Sequence, residues 1–424
     1  MDFKNKKILV VGLGLSGQAA VRFFLQQGAF VVTTDQGAGL LPTTISKHPR
    51  LVETHWGKHS PEFFLDKDLI LVSPGVSLDL PGIRVARRHK IPILGEFGLA
   101  AQLLKSLKIP MIAVTGTNGK STTVTLIAEI LKKSGFKTVL AGNIGKPLLE
   151  VVMENSPQSL DWVVAEVSSY QLDTVEHFRP HISVLLNVTE DHLDRYSSFR
   201  AYAQSKARIF QEQKRRDVLI YNQDDKVVRR LVRKAHCQKI PLNFFQPIKR
   251  INTHNVQNVS ASIAVAHTVG VKPKIIQEVL ENFRGLPHRV EFVRKHKNVS
   301  YYDDSKATNV DAVVRALERF DNSRVILLGG GREKEGSYIP LARMAKKKVK
   351  LALLFGEAKK NMAQALSNVT EVLEMKNLKE AVVRAHQQAC PGDVVLLSPA
   401  CSSFDQFKDY KERGNLFQKL VKNL

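Results

Sequence analysis

The chain has 424 residues, of which 43% are hydrophobic and 24% charged, the profile of an ordinary globular protein with room for two to four domains. No apolar run approaches the ~18 residues that cross a bilayer, and the three cysteines (Cys237, Cys390, Cys401) share no metal spacing, so membrane insertion and a disulfide or cysteine–metal framework are set aside in favour of reduced thiols in a cytoplasm. The formal net charge of +23 would attract a polyanion, but the basic runs at 213–217, 226–234 and 346–350 are short, scattered and free of interleaved aromatic residues, which favours solvated surface charge over nucleic-acid binding.

The N-terminus, MDFKNKKILVVGLGLSGQAA, has the lysines, apolar run and small residues of a signal peptide. Glycines break that run and Arg22 follows on an amphipathic pattern, so a strand, a glycine turn and a helix ending at Gly28 is the better reading. Gly12, Gly14 and Gly17 complete G-x-G-x-x-G, and Asp35 ends the next strand, AFVVTTD. This pattern gives a tight turn, a helix N-terminus facing a pyrophosphate and an acid for ribose hydroxyls. Only a diphosphate and a ribose are specified, so a nicotinamide dinucleotide and a UDP-sugar both qualify. A further strand, LILV, leads into a second turn with Ser73 and Gly75.

A second nucleotide signal lies in MIAVTGTNGKSTTVTLIAEIL. Strand, glycine turn and helix follow in the order a phosphate loop needs, with backbone N–H groups turned to phosphate oxygens. Lys120 would reach the β- and γ-phosphates, and Ser121 or Thr122 would ligate Mg2+. The common G-x-x-x-x-G-K-[ST] loop has a glycine five residues before Gly119; here Val114 stands there and the nearer glycine is Gly116.

Alternation continues through DWVVAEVSS and HISVLLNVT. Glu166 ends the first of these strands and His192 follows the second, where α/β sheets place ligands. Lys206 reads as a solvated helix lysine, Asn143 as a turn asparagine and Asn258 as part of a helix start. A third segment carries the strands VSYY, RVILLGG, LALLFG and DVVLLSP. The chain therefore reads as three α/β domains in series, at 1–98, 99–285 and 286–424.

The loop TGTNGKST resembles that of the Mur ligases and the folylpolyglutamate synthases. GNIG, AEVSSYQL, NVTEDHLDRY, HNVQN, LPHRVE, DDSKATN and SPACSSFDQFKDYKERG follow in the order found in Mur ligases, across essentially the whole chain. SPACSSFDQF and the N-terminal GLGLSG resemble the branch that adds D-glutamate, and argue against folate. The resemblance implies a Rossmann-like N-terminal domain that binds UDP instead of NAD. It implies a central P-loop ATPase-like domain with a mostly parallel sheet, and a Rossmann-like C-terminal domain that binds the amino acid. The implied activity is ATP-dependent addition of D-glutamate to UDP-N-acetylmuramoyl-L-alanine through an acyl phosphate, in cytoplasmic peptidoglycan precursor synthesis, by a monomer with no nucleic-acid partner.

Residue by residue, the resemblance places ATP on Gly116, Thr117, Asn118, Gly119, Lys120, Ser121, Thr122, Asn258, Arg289, Asp304 and Lys306. It places two Mg2+ ions on Ser121, Glu166, His192 and Lys206, the last as a carbamylated lysine. Lys120, Glu166, His192 and Lys206 form the catalytic set. UDP-substrate contacts fall on Leu15, Ser16, Asp35, Gln36, Ser73, Gly75 and Asn143, and D-glutamate contacts on Thr308, Lys334, Ser403 and Tyr410. Tyr410 stands where many relatives have phenylalanine, and Ser337 and Tyr338 depart from an Asp-Phe pair.

Overall fold

The structure is a computed structural model that describes residues 1–37, 41–58, 60–156, 159–193, 195–242, 256–320, 324–333 and 336–424. The expected D-glutamate contact Lys334 lies outside the described residues. Two compact units form: Met1–Val188 with Ala203–Phe283, and Thr189–Tyr202 with Arg284–Leu424. Among the described residues, no helix is long and apolar enough to cross a membrane.

The first unit holds two sheets. One is built from β1 (Lys7–Val11), β2 (Phe30–Asp35), β3 (Leu51–Trp56), β4 (Leu69–Val72) and β5 (Ile93–Gly95) in the order β3-β2-β1-β4-β5. All its pairings are parallel. The order reverses between β1 and β4, which opens a crevice at their carboxyl ends. The other contains β6 (Met111–Thr115), β7 (Thr138–Gly142), β8 (Trp162–Glu166), β9 (Ile182–Leu185), β10 (Val218–Tyr221) and β11 (Gln238–Pro241) in the order β11-β10-β9-β6-β8-β7. It is parallel throughout. β6 lies inside it and is wholly buried. Helices Lys120–Lys133 and Val256–Thr268 cover it, burying Val124, Ile127, Val259 and Ile263 against Ile112 and Val184.

The second unit contains β12 (Glu291–His296), β13 (Val299–Asp303), β14 (Val325–Gly330), β15 (Val349–Phe355), β16 (Glu371–Glu374) and β17 (Val394–Ala400) in the order β12-β13-β17-β14-β15-β16. β12 pairs antiparallel with β13 and the remaining pairings are parallel. Successive side chains of β14 alternate between two cores: Leu327 packs with Val313 and Leu341, Ile326 and Leu328 with Val382 and Phe417. Burial on both faces explains why this strand reads as an unbroken apolar run.

Candidate active site

A cavity of ≈ 580 Å³ occupies the crevice of the first sheet. Leu15, Ser16, Asp35, Gln36, Ser73 and Gly75, the six expected first-sheet contacts, all line it. The helix Leu15–Gln26 begins there after Gly14 with no side-chain cap, so its first N–H groups are available to an anion. Ser73 Oγ donates to the Gly12 carbonyl at 2.8 Å. Asp35 accepts from Gly37 N at 2.8 Å and from Leu13 N at 2.6 Å. Its carboxylate thus braces its own turn and the glycine loop while it faces the cavity. The glycines divide by role: a Cβ on Gly17 would fall 1.8 Å from the Gly12 carbonyl, whereas one on Gly14 would meet nothing within 4 Å. Gly17 serves close packing, and Gly14 leaves room for a ligand.

In the second sheet, β6 runs into the 116–122 loop. Gly119 has φ +88° and precedes the helix Lys120–Lys133, a left-handed conformation that a side chain rarely adopts. A Cβ there would also fall 2.2 Å from Asn258 Oδ1, so Asn258 packs directly on the loop. Lys120 Nζ donates to the carbonyls of Gly116 at 2.9 Å and Thr117 at 2.8 Å. Lys206 Nζ donates to the same Gly116 carbonyl at 3.0 Å, and Lys206 is only 2% exposed. The solvated reading of Lys206 is therefore overturned: its helix turns the ammonium into the loop. Ser121 and Thr122 are buried at the helix start.

Asn187 was not among the expected contacts. Its side chain accepts from Asn118 N at 2.8 Å and donates to Asn118 O at 3.0 Å, and its carbonyl takes Thr117 N–H at 2.9 Å. The available signal was a polar residue just after the buried apolar run of β9.

Glu166 ends β8, opposite Val114 of β6 and Gly142 of β7. It is 1% exposed, and Oε1 accepts from Asn143 Nδ2 at 2.7 Å. Asn143 N–H also donates to the Glu166 carbonyl at 2.9 Å. A buried carboxylate beside a phosphate loop whose helix opens with Ser121 offers hard oxygen donors, which suit Mg2+. Lys206 as an ammonium is not such a donor.

The second unit carries the remaining expected residues. His192 has φ +57°. Its N–H donates to Asp191 Oδ1 at 3.0 Å, and Asn309 Nδ2 donates to Asp191 Oδ2 at 3.0 Å. Asp304 is buried; it accepts from Ser398 Oγ at 2.7 Å and Val290 N at 3.2 Å. Burial pushes its carboxyl up to about 7, against the Ser398 hydrogen bond and the charges of Arg289 and Arg319. Lys306 Nζ donates to Tyr410 Oη at 3.1 Å and sits 4.6 Å from the ring centroid. Thr308 N–H donates to the Lys306 carbonyl at 2.9 Å, and Ser403 is buried.

Arg413 was also missed. It is 0% exposed. Its guanidinium donates to Ser305 Oγ at 3.0 Å, Ser305 O at 2.9 Å, Cys401 O at 3.1 Å and Gly330 O at 3.4 Å. Ser305 Oγ in turn donates to Tyr410 O at 2.8 Å. One buried cation therefore ties the 304–308 loop to the ends of β14 and β17. Burial pulls its own pKa down to about 10.

Comparison with known proteins agrees on the family. Residues 6–95 match the MurD-like N-terminal domain of Mur ligases, 114–271 the Mur ligase middle domain and 288–401 the Mur ligase glutamate ligase domain. The chain is 43% identical to a UDP-N-acetylmuramoylalanine–D-glutamate ligase of Geobacter sp. (strain M21), covering 100% of this chain and 98% of that protein. It is 41% identical to the protein of the same name from Geotalea uraniireducens (strain Rf4), covering 100% and 99%. In fold it is similar to the MurF ligase of Thermotoga maritima solved with ADP (TM-score 0.62, 16% identity, 100% and 97% coverage). It is also similar to the UDP-N-acetylmuramate–alanine ligase MurC of Thermotoga maritima (TM-score 0.60, 20% identity, 99% of each chain).

Proposed function

The chain belongs to the Mur ligase family, and from that premise we propose that it joins D-glutamate to UDP-N-acetylmuramoyl-L-alanine, with ATP converted to ADP and phosphate. The observation that supports this most directly is the phosphate loop gripped by Lys120 and buried Lys206, in the same unit as a nucleotide cavity. A nicotinamide oxidoreductase would use the cavity and leave that loop without a purpose.

A carboxylate is a poor electrophile. The L-alanyl carboxylate oxygen attacks the γ-phosphorus and ADP leaves, giving an acyl phosphate. The D-glutamate amine attacks the acyl carbon, loses a proton, and the tetrahedral intermediate expels phosphate. Charge accumulates on phosphoryl oxygens, so positioning and cations do most of the catalysis. The 116–122 N–H groups and Lys120 hold the phosphates, with Asn258 against the loop. Ser121, Glu166, His192 and carbamylated Lys206 would hold Mg2+, which when bound neutralises phosphate charge. Asn143 orients Glu166 or meets the muramyl portion.

The first-sheet cavity takes the UDP group through the helix N-terminus and Asp35. In the second unit, Arg289, Asp304 and Lys306 are assigned to ATP, and Thr308, Lys334, Ser403 and Tyr410 to D-glutamate. The segments 1–98, 99–285 and 286–424 are the corresponding UDP, ATP and amino-acid domains, in a cytoplasmic monomer.

The test is phosphate release from ATP with UDP-N-acetylmuramoyl-L-alanine, adding D-glutamate, L-glutamate, L-lysine or D-alanine in turn. Release with D-glutamate alone is expected. Release only with another amino acid moves the protein to a sibling activity. No release from folded, ATP-binding protein rejects the ligase reading, and a fluorescence titration with NADH then tests the oxidoreductase.

A further inference from the structure

The first sheet reaches the Asn143–Glu166 pair through one short element. β7 closes into a tight turn: Gly142 N–H donates to the Lys146 carbonyl at 2.9 Å, and a Cβ on Gly145 would fall 2.4 Å from the Leu140 carbonyl. Asn143 therefore sits in a tight turn that leads directly into the helix Leu148–Glu154. That helix is held from the first-sheet side at two points. Arg22, on the helix that begins at the cavity, pairs with Glu150. Glu96, directly after β5, accepts Leu149 N–H at 2.7 Å.

The residues at the end of β5 that carry Glu96 also grip the Glu166 side. Gly95 N–H donates to the Thr174 carbonyl at 3.3 Å. A Cβ on Gly95 would fall 2.0 Å from Thr174 Oγ1, and one on Gly98 2.9 Å from the Thr174 carbonyl. Thr174 lies just past the short helix Ser169–Leu172 that follows Glu166, and its N–H and Oγ1 both donate to the Gln171 carbonyl, at 3.2 Å and 3.0 Å. Residues 95–98 thus hold both arms of the Asn143–Glu166 pair.

Glu96 is an expensive residue for simple packing. It is 1% exposed, and its Oε2 is buried with no hydrogen-bond partner among the described residues. An apolar side chain would fill the space without burying an unsatisfied oxygen. The geometry points to Glu96 as a positioning residue that fixes the Asn143–Glu166 pair in register with the UDP cavity, so that a substrate anchored by its nucleotide presents its carboxylate at the pair. This rests on the ligase reading above for the identity of the substrate.

The test compares wild type with Glu96→Met, which fills the site without an acceptor, and Glu96→Gln, which retains one for Leu149 N–H. UDP and ATP affinities are measured separately from kcat, and hydrogen exchange is followed at the Asn143 amide, which donates to Glu166 and not to Glu96. For Glu96→Met, kcat is expected to fall roughly 10–100-fold, as for loss of other supporting contacts behind a catalytic group. UDP and ATP should each bind as to wild type, exchange at Asn143 should quicken, and Glu96→Gln should restore both readouts. Wild-type kcat and exchange in Glu96→Met would overturn the proposal. So would parallel loss of UDP binding, ATP binding and melting temperature, which marks plain destabilisation. If wild type itself makes no product, the ligase reading fails; exchange at Asn143 then still decides the brace, faster in Glu96→Met supporting it and unchanged overturning it.

Discussion

Lys206 Nζ lies 3.0 Å from the Gly116 carbonyl, 90 residues away in sequence, on a side chain closed to solvent. A neutral amine adds carbon dioxide to give a carbamate, the form in which Lys206 would offer oxygen donors to Mg2+. Replacing Lys206 by methionine keeps the volume and removes the nitrogen. Activity is expected to fall by about 10–100-fold or more, and wild-type activity to rise with bicarbonate. Bicarbonate-independent turnover would leave Lys206 an ammonium that only braces the loop.

Asn187 brackets the phosphate loop with three hydrogen bonds. Asn187→Ala removes two side-chain hydrogen bonds from the partly buried Asn118 backbone, at about 0.5–1.5 kcal/mol each. The expected result is a raised KM for ATP with little change in the affinity for UDP. Equal loss of both would show general unfolding instead.

Arg413 holds Ser305, Gly330 and Cys401 together. Arg413→Ala removes four buried hydrogen bonds, and a loss of about 3 kcal/mol or more in unfolding free energy is expected. Arg413→Lys cannot reproduce the planar fork. It should raise KM for D-glutamate while UDP still binds normally, because the loop bearing Lys306 and Thr308 loses its anchor. An unchanged D-glutamate KM in Arg413→Lys would confine Arg413 to stability.

Glu96 makes a pH prediction. Burial pushes its carboxyl from an ordinary value of 4.5 up to about 7, against the N–H groups of Leu148 and Leu149. Between these values the folded state binds more protons than the unfolded state, so this group's contribution to stability falls as pH rises. It is fully present below 4.5 and lost above about 7, a difference of roughly 3 kcal/mol at 1.36 kcal/mol per pH unit. Glu96→Gln cannot ionise. Its melting temperature relative to wild type should therefore climb between pH 5 and pH 8, which pH-dependent calorimetry can measure. A constant difference across that range would show that Glu96 is ionised throughout.

Two glycines of one motif should behave oppositely. Gly17→Ala puts a methyl 1.8 Å from the Gly12 carbonyl, and a cost above about 3 kcal/mol is expected from such overpacking. Gly14→Ala meets nothing in the protein. It should melt as wild type yet bind UDP roughly tenfold more weakly, about 1.4 kcal/mol. Normal UDP binding by Gly14→Ala would mean that the nucleotide lies elsewhere in the cavity.

The strands that the sequence makes legible are the inner ones. β1, β4, β6, β8, β9, β14 and β17 are apolar runs because sheet or helix covers both faces. The strands it left unnamed include all six sheet edges: β3, β5, β7, β11, β12 and β16. β3, with no fully buried residue, and β16, exposed at both ends, are mixed in polarity for want of a second neighbour. β10, an inner strand of four residues, escaped by shortness.

By itself the sequence determined the two glycine loops, the alternation of strands and helices and the family to which they belong. A left-handed turn demands glycine locally, and a helix start follows it within a few residues, so such motifs are written in adjacent positions. The tertiary structure alone decided that Lys206 is buried on Gly116, that Asn187 brackets Asn118 from 69 residues away and that Arg413 reaches Ser305 across 108. A hydrogen bond's energy depends on distance and burial in space. Neither is encoded in the spacing of one residue from the next, so a lysine in a solvated-looking pattern and a lysine sealed against a phosphate loop read alike until the chain is folded.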